Sequence, residues 1–296
     1  MIDNKYLSLL KIHELGSYTK AAEALSVSQP AITMQIKQLE SQFDAKLFER
    51  GKGRVVLTKE GEIVLKYAQR MIAIENNLLQ ELKNEKDRIR SLTVGITHTA
   101  ESSSIIEALA RFVSGIDHLS LKILTNTTDH LISMLKNYEI DFAFAEQPVT
   151  SPNLCYTTLG TDKLVLAVAP EHPLAGRESV TIEELKKERL ILRLPDSGTR
   201  NLFMASLESL SLSIRDFNVV IEIDSIATIK DLIRRNFGVS VLARSACLDE
   251  ARKGKLSLLS IEGLSMERST NIIYRQDFEH PQLIEGIARV YHEMQA

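Results

Sequence analysis

The stretch Tyr18-Thr19-Lys20-Ala21-Ala22-Glu23-Ala24-Leu25-Ser26-Val27-Ser28-Gln29-Pro30-Ala31-Ile32-Thr33-Met34-Gln35-Ile36-Lys37-Gln38-Leu39-Glu40 decides how the first part of the chain folds. Its first portion reads as a short helix from about Thr19 to Leu25 that buries Ala21, Ala22 and Leu25. Ser26-Val27-Ser28 is a tight connection. Ser28 reads as an N-cap, with Gln29 and Pro30 in the first turn of the next helix, where proline's missing N–H costs nothing. Ile32, Ile36 and Leu39 fall on one face of that helix, and Gln29, Thr33, Gln35 and Lys37 on the other. Two helices joined this closely form a helix-turn-helix. A second helix that presents Gln, Thr and Lys fits the major groove, where Gln reads adenine bidentately and Thr touches the thymine methyl.

Upstream, Asn4–Glu14 places Leu7, Leu10 and Ile12 at helical spacing, and Gly16-Ser17 ends the run. Downstream, Phe43 and Leu47-Phe48 lead into Glu49-Arg50-Gly51-Lys52-Gly53-Arg54-Val55-Val56-Leu57. Two glycines between short apolar runs predict a hairpin with a basic tip, a wing whose Arg50, Lys52 and Arg54 are suited to phosphates or the minor groove. Thr58 then caps a long helix, with Glu60 and Glu62 in the first turn, where the helix dipole favours anions.

No Gly or Pro interrupts Glu62 to Arg90, so this segment predicts a rod of about 43 Å at 1.5 Å per residue. Val64, Ala68, Met71, Leu78, Leu82 and Ile89 form a seam broken by Glu75 and Glu85 and flanked by Lys66, Arg70, Lys83 and Arg88. A helix packed on its own domain is the plainer reading; the length of the seam favours a dimer helix.

From Ser91 the pattern changes. Strand Leu92–Ile96, a Thr/Ser-rich turn over Thr97–Ser104, helix Ile105–Val113, strand Leu119–Leu124, helix Asp129–Asn137 and strand Ile140–Ala145 predict a βαβαβ unit with a parallel sheet. A second series begins at strand Leu164–Ala169 and continues through strand Leu190–Leu194, helix Thr199–Leu210, strand Val219–Ile223, helix Ile226–Arg235 and strand Val239–Leu242. The chain returns through Asn271–Tyr274 to a last helix from about Pro281 to Glu293. Two such lobes enclose a cleft, and clefts bind small ligands at strand C-termini.

Charge divides along the same line. Residues 1–90 hold 15 Lys and Arg against 12 Asp and Glu, while the remaining 206 residues hold 21 against 27, so a basic first third joins an acidic remainder. The plain reading is a solvated mixed surface; the other is that only the first third meets a polyanion. No apolar run approaches the ~18–20 residues of a membrane span. Asp3, Lys5, Lys11 and Glu14 break the apolar stretch that a signal peptide needs. Cys155 and Cys247 fit neither a disulfide framework nor a metal cluster, so a reducing cytoplasm is the expected home.

The string Tyr18–Leu25 followed by Val27–Glu40 closely resembles the LysR-type transcriptional regulators, as do Lys46-Leu47-Phe48-Glu49-Arg50 and Leu57-Thr58-Lys59-Glu60-Gly61. The resemblance covers essentially the whole chain. It implies an α/β protein with an N-terminal all-α winged helix-turn-helix at residues 1–58, a linker and dimerisation helix at 59–90, and a two-lobed, periplasmic-binding-protein-like effector domain at 91–296. Lobe I would comprise 91–160 and 269–296, and lobe II 161–268. Gly160-Thr161 and Glu267-Arg268 would carry the crossovers and the hinge.

The resemblance also implies dimers of dimers on double-stranded promoter DNA and a small-molecule effector between the lobes. Ser28, Gln29, Pro30, Thr33 and Gln35 take recognition-helix positions, with Lys37 beside them, and Arg50 and Arg54 take the wing. Met34 departs from the family, which commonly has a basic residue there, and so removes a phosphate or base contact. Thr99 and Thr128 stand where family members often carry hydroxyls at strand-to-helix turns suited to an anion. Each reads equally as an ordinary N-cap. Thr97 and His98 share the first turn, and His98 is either an effector contact or a surface histidine.

Ser197-Gly198-Thr199-Arg200 resembles the family's Gly-Ser-Gly-Thr-Arg segment, with Asp196 in place of the first glycine. Asp196 either repels an anionic effector or caps the helix. Arg200 binds a carboxylate or pairs with a nearby acid. No cofactor, metal, catalytic residue or membrane partner is expected. The chain lacks a Gly-x-Ser-x-Gly elbow, a P-loop, Gly-x-Gly-x-x-Gly and His-Glu-x-x-His, which argues against an enzyme. A solute-binding protein would leave the first 90 residues unexplained. A DNA-binding regulator controlled by a partner protein is the remaining alternative.

Overall fold

The computed structural model describes residues 3–51, 54–87, 90–146, 149 and 151–295. Residues 1–90 form one compact unit, and residues 91–136 and 140–296 form a second.

In the first unit, α1 (Asn4–Leu15), α2 (Tyr18–Ala24) and α3 (Gln29–Phe43) precede a hairpin of β1 (Phe48–Arg50) and β2 (Val55–Leu57), and then α4 (Lys59–Asp87). Asp3 caps α1 by accepting the Lys5 N–H, and Gly16 ends it at φ 62°, a left-handed conformation suited to glycine. The Gly16 carbonyl in turn accepts the Val55 N–H, tying the hairpin to the helix end. The core joins Leu9 and Ile12 to Ala21, Ala22, Ile32, Ile36, Leu39, Leu47, Leu65 and Ala68. The buried face of α1 is therefore Ser8, Leu9 and Ile12, whereas Leu7, which the spacing had grouped inward with Leu10, is 39% exposed. Three leucines in four positions leave the helical phase undecided until α3 selects one. Gly61 sits against the loop before the hairpin so closely that a Cβ would lie 2.1 Å from the Leu47 carbonyl oxygen, which explains glycine there.

The seam of α4 divides. Val64, Leu65 and Ala68 pack into the core of this unit, so the first two positions of the expected dimer seam are intradomain contacts. Ile63, Tyr67, Ile74, Leu78 and Leu82 form an exposed apolar stripe at helical spacing, Leu82 being 62% exposed. Arg88 and Ile89 lie outside the described residues, as does the side chain of Glu85.

The second unit runs β3 (Arg90–Ile96), α5 (His98–Glu101), α6 (Ile105–Ser114), β4 (Leu119–Thr125), α7 (Thr128–Lys136), β5 (Phe142–Ala145), β6 (Leu154–Val168), β7 (Ser179–Val180), α8 (Ile182–Leu185), β8 (Arg189–Leu192), α9 (Gly198–Ser209), β9 (Asn218–Glu222), α10 (Ile226–Arg234), β10 (Ser240–Ala243), α11 (Leu248–Arg252), β11 (Ser257–Ile261), β12 (Glu267–Arg275) and α12 (Pro281–Gln295). One eight-stranded sheet has the order β4-β3-β5-β12-β6-β11-β7, with β10 also on β6; β8 and β9 pair separately. β3 and β5 are parallel, as βαβ connections require, but β12 enters antiparallel to both β5 and β6. The parallel pairing expected of the βαβαβ unit is therefore present between β3 and β5, and the returning strand β12 adds an antiparallel neighbour to β5. Part of the Thr/Ser-rich turn is helical, forming α5.

β6 begins ten residues before the expected Leu164. Its first part alternates partly buried and exposed positions and carries Thr157, Thr158, Thr161, Asp162 and Lys163, so no apolar run announces it. From Leu164 every residue is buried: Leu164, Leu166 and Val168 face one core of the second lobe and Ala167 the other. The first lobe likewise has a core on each face of its sheet, Val94, Ile96, Phe142 and Phe144 on one and Leu131, Leu135 and Ala143 on the other. The long strands β6 and β12 run through both lobes, pairing Gly160 with Thr270, Thr161 with Ser269, Asp162 with Arg268 and Lys163 with Glu267. Among the described residues no helix is long and apolar enough to cross a membrane.

Candidate functional site

In the first unit, Ser28 caps α3 with its Oγ accepting the Ala31 N–H at 3.3 Å. Gln29 and Thr33 share a turn: Gln29 Nε2 donates to Thr33 Oγ1 at 3.2 Å, and Thr33 Oγ1 donates to the Gln29 carbonyl at 2.9 Å. Gln29, Pro30, Lys37 and Met34 are exposed, Met34 at 62%. Gln35 differs from the expected outward face: it is half-buried, and its Oε1 accepts the Ser8 hydroxyl at 2.5 Å. Glu40 accepts the Leu47 N–H and the Lys46 ammonium, both at 3.0 Å, fixing the approach to the hairpin. Arg54 is exposed on the hairpin. Lys52 and the side chain of Arg50 lie outside the described residues.

In the second unit, a cleft of about 140 Å³ opens between the lobes. The first lobe contributes Thr97, His98, Thr99, Asn126, Thr127, Thr128 and Glu146. The second contributes Arg193, Leu194, Asp196, Ser197, Gly198 and Asp224. Thr97 caps α5, its Oγ1 accepting the Ala100 N–H at 3.1 Å and donating to Glu146 Oε1 at 2.5 Å. Thr128 opens α7. Ser197 is the N-cap of α9 and makes no side-chain capping bond, so the first-turn amides of that helix lack a serine acceptor, and Ser197 and Gly198 both line the cleft.

Two expected effector residues do not line the cleft. Thr199 is buried, its Oγ1 3.4 Å from that of Thr99 and accepting from Arg268 Nη1 at 3.3 Å. Arg200 takes the acid-pairing alternative, donating to Glu222 Oε1 at 2.6 Å and to the Arg193 carbonyl at 2.9 Å. His98 lines the cleft with Nε2 3.6 Å from Asp224 Oδ2, and Asp196 also lines it.

Sequence reasoning missed Arg193. Its side chain is 2% exposed; Nη2 donates to Asp224 Oδ1 at 2.8 Å, while Nε and Nη1 are buried without a partner among the described residues. An unsatisfied buried donor costs about 1–3 kcal/mol, and more when charged, so such a group points to a role beyond packing. The available signal was an arginine at the end of the apolar run Leu190-Ile191-Leu192, at the C-terminal end of a strand, where α/β sheets hold ligands. Glu146, Asn126 and Asp224 were missed too, having no motif around them.

A winged helix-turn-helix followed by a separate two-lobed domain with a small-molecule cleft is the layout of a DNA-binding regulator that carries its own sensor. Residues 4–62 match the family profile described as bacterial regulatory helix-turn-helix protein, lysR family, and residues 86–295 match the LysR substrate binding domain. The chain belongs to the LysR family and is a LysR-type DNA-binding transcriptional regulator.

It is 30% identical to the HTH-type transcriptional regulator CfxR of Cupriavidus necator, over 88% of this chain and 81% of that one. The fold is similar to full-length CbnR complexed with its target DNA, at TM-score 0.68 and 18% identity over 99% of both chains. It is also similar to the CcmR regulatory domain of Synechocystis PCC6803 in complex with 2-PG, at TM-score 0.60 and 22% identity over 69% of this chain and 98% of that one.

Proposed function

We propose that this regulator binds promoter DNA in the cytoplasm as a homo-oligomer, and that a small molecule held between its lobes governs what it does there. Residues 1–58 read DNA, 59–90 join protomers, and 91–296 sense the effector, with lobe I at 91–160 and 269–296 and lobe II at 161–268. Gln29, Pro30 and Thr33 face base edges, while Ser28 and Lys37 meet phosphates with Arg50, Lys52 and Arg54 of the wing. Gln35 supports the helix from within, since its Oε1 is already engaged by Ser8. The exposed stripe Ile63, Tyr67, Ile74, Leu78 and Leu82 supports self-association, because an apolar helix face of that length is costly in water.

The observation that carries the sensing half is the cleft itself, where Thr97, His98 and Thr99 of one lobe and Ser197 and Gly198 of the other converge beside Arg193. CbnR bound to its target DNA and CcmR bound to 2-PG lend support as relatives of the same fold.

Gly198 supplies the test. Gly198 lines the cleft, and a Cβ there would meet no atom within 4 Å, so a side chain can begin at this position without a clash. Gly198→Leu is expected to keep the native melting temperature and to lose the ligand-induced shift produced by a small-molecule extract of cells that make the protein. A full shift in that variant would place the effector elsewhere, and no shift in either protein would favour control by a partner protein.

A further inference from the structure

We infer that the cleft is built for a small acid that also carries a hydrogen-bond donor, its oxyanion held on the guanidinium of Arg193 and its hydroxyl or ammonium group on Glu146 and Asp196. This rests on the cleft being the effector site and names the class of molecule it takes. Arg193 presents five donors in a planar fork, and Asp224 engages only Nη2. Nε and Nη1 remain buried and without partners among the described residues, and the second N–H of Nη2 together with that of Nε or Nη1 leaves one edge of the guanidinium for a carboxylate or other planar oxyanion. The twelve-residue helix α9 adds its N-terminal amides, which Ser197 leaves uncapped.

The opposite requirement comes from the acids. Glu146, Asp196 and Asp224 all line the same space, and Thr97 engages only Oε1 of Glu146. A ligand offering nothing but negative charge meets more carboxylates there than guanidinium groups. One with a donor at its far end satisfies both sides. Size follows from volume: a cavity of about 150 Å³ holds benzene, so the 140 Å³ here suits about six heavy atoms.

The full-length protein tests this with a matched set of probes, followed by calorimetry and thermal shift. L-lactate carries acid and hydroxyl, L-alanine acid and ammonium, propionate the acid alone, and propane-1,2-diol the hydroxyls alone. Lactate or alanine is expected to bind at least about tenfold more tightly than propionate and the diol. Arg193→Lys, which keeps the charge and loses the fork, is expected to weaken that probe about tenfold or more. Glu146→Gln is expected to erase its advantage over propionate. Asp224 is half-exposed, so replacing Arg193 leaves its partner acid with access to water, and Glu146→Gln is a second variant should the first unfold.

Equal binding of propionate, or binding of the diol alone, overturns the proposal. So does failure of both lactate and alanine to bind at concentrations up to about 10 mM. If in that last case the cell extract still shifts the wild type and not Gly198→Leu, the cleft remains the effector site and only the ligand class falls. If the extract shifts Gly198→Leu as well, the reading of the cleft falls with it.

Discussion

The hydroxyls of Thr99 and Thr199 lie 3.4 Å apart, one in the first strand-to-helix turn of the first lobe and the other in the first turn of α9 in the second. Thr199 also accepts from Arg268, whose guanidinium lies 3.6 Å from Asp162, and these two residues are paired in register on β12 and β6. A line of polar contacts thus runs from the cleft to the strands on which the lobes are joined. Thr99→Val together with Thr128→Val is expected to abolish the response to the effector, because it removes a cleft hydroxyl from each turn of the first lobe. Thermal shift against the active extract reads this directly; retained effector affinity in the double variant would place the site elsewhere.

The two glutamines of α3 separate base reading from support. Gln29→Ala is expected to weaken binding at cognate sites by about 1–3 kcal/mol and to leave random DNA unaffected. Equal loss on both would contradict base reading. Gln35→Ala should instead lower the stability of the isolated protein by about 1 kcal/mol, since it leaves the buried Ser8 hydroxyl without its acceptor. Urea melting of the two variants checks the contrast.

Leu78→Glu with Leu82→Glu places two carboxylates on the exposed stripe of α4. Both positions face water in the single chain, so folding should be unchanged while sedimentation shows a smaller assembly. An unaltered oligomer would assign self-association to another surface.

Glu184 predicts a specific acid response. Hydrogen bonds from the Arg177 guanidinium, then from Thr181, hold its carboxyl down from 4.5 to about 2. A carboxyl depressed on folding stabilises the native state above its unfolded pKa, and that contribution is lost as pH falls toward the folded value. Stability from this group is thus expected to be complete above about pH 4.5 and to decline toward pH 2. Glu184→Gln should flatten that part of the melting-temperature profile; an unchanged slope would contradict the assignment.

Much of this was legible in advance because it rests on local rules. The Ser28 cap, the Ile32–Ile36–Leu39 face, the paired strands β1 and β2 and the Thr58 start of α4 each follow from short-range geometry, and the structure reproduces them. What was not legible depends on partners distant in sequence. Leu9 rather than Leu7 turns inward because α3 lies there, and Gln35 turns inward because Ser8 does. The first part of β6 carries no apolar signal because much of its length is solvated. The cleft shows the same division. Thr99, Thr128 and Gly198 were expected from their place in strand-to-helix turns and from the family resemblance, and they line the cleft, whereas Arg193 gains its meaning only when Asp224, thirty-one residues away, leaves most of its guanidinium without a partner among the described residues.

Recognition of particular DNA sequences is the property on which the other proposed roles of this protein depend. The most direct measurement selects genomic fragments on the purified full-length protein and follows the enriched ones by fluorescence anisotropy against scrambled DNA at two salt concentrations. A small set of enriched sites is expected, bound more tightly than scrambled DNA and with an affinity that falls steeply with salt as phosphate contacts release counterions. Selection that enriches no fragment over scrambled DNA, with or without the cell extract, would contradict it.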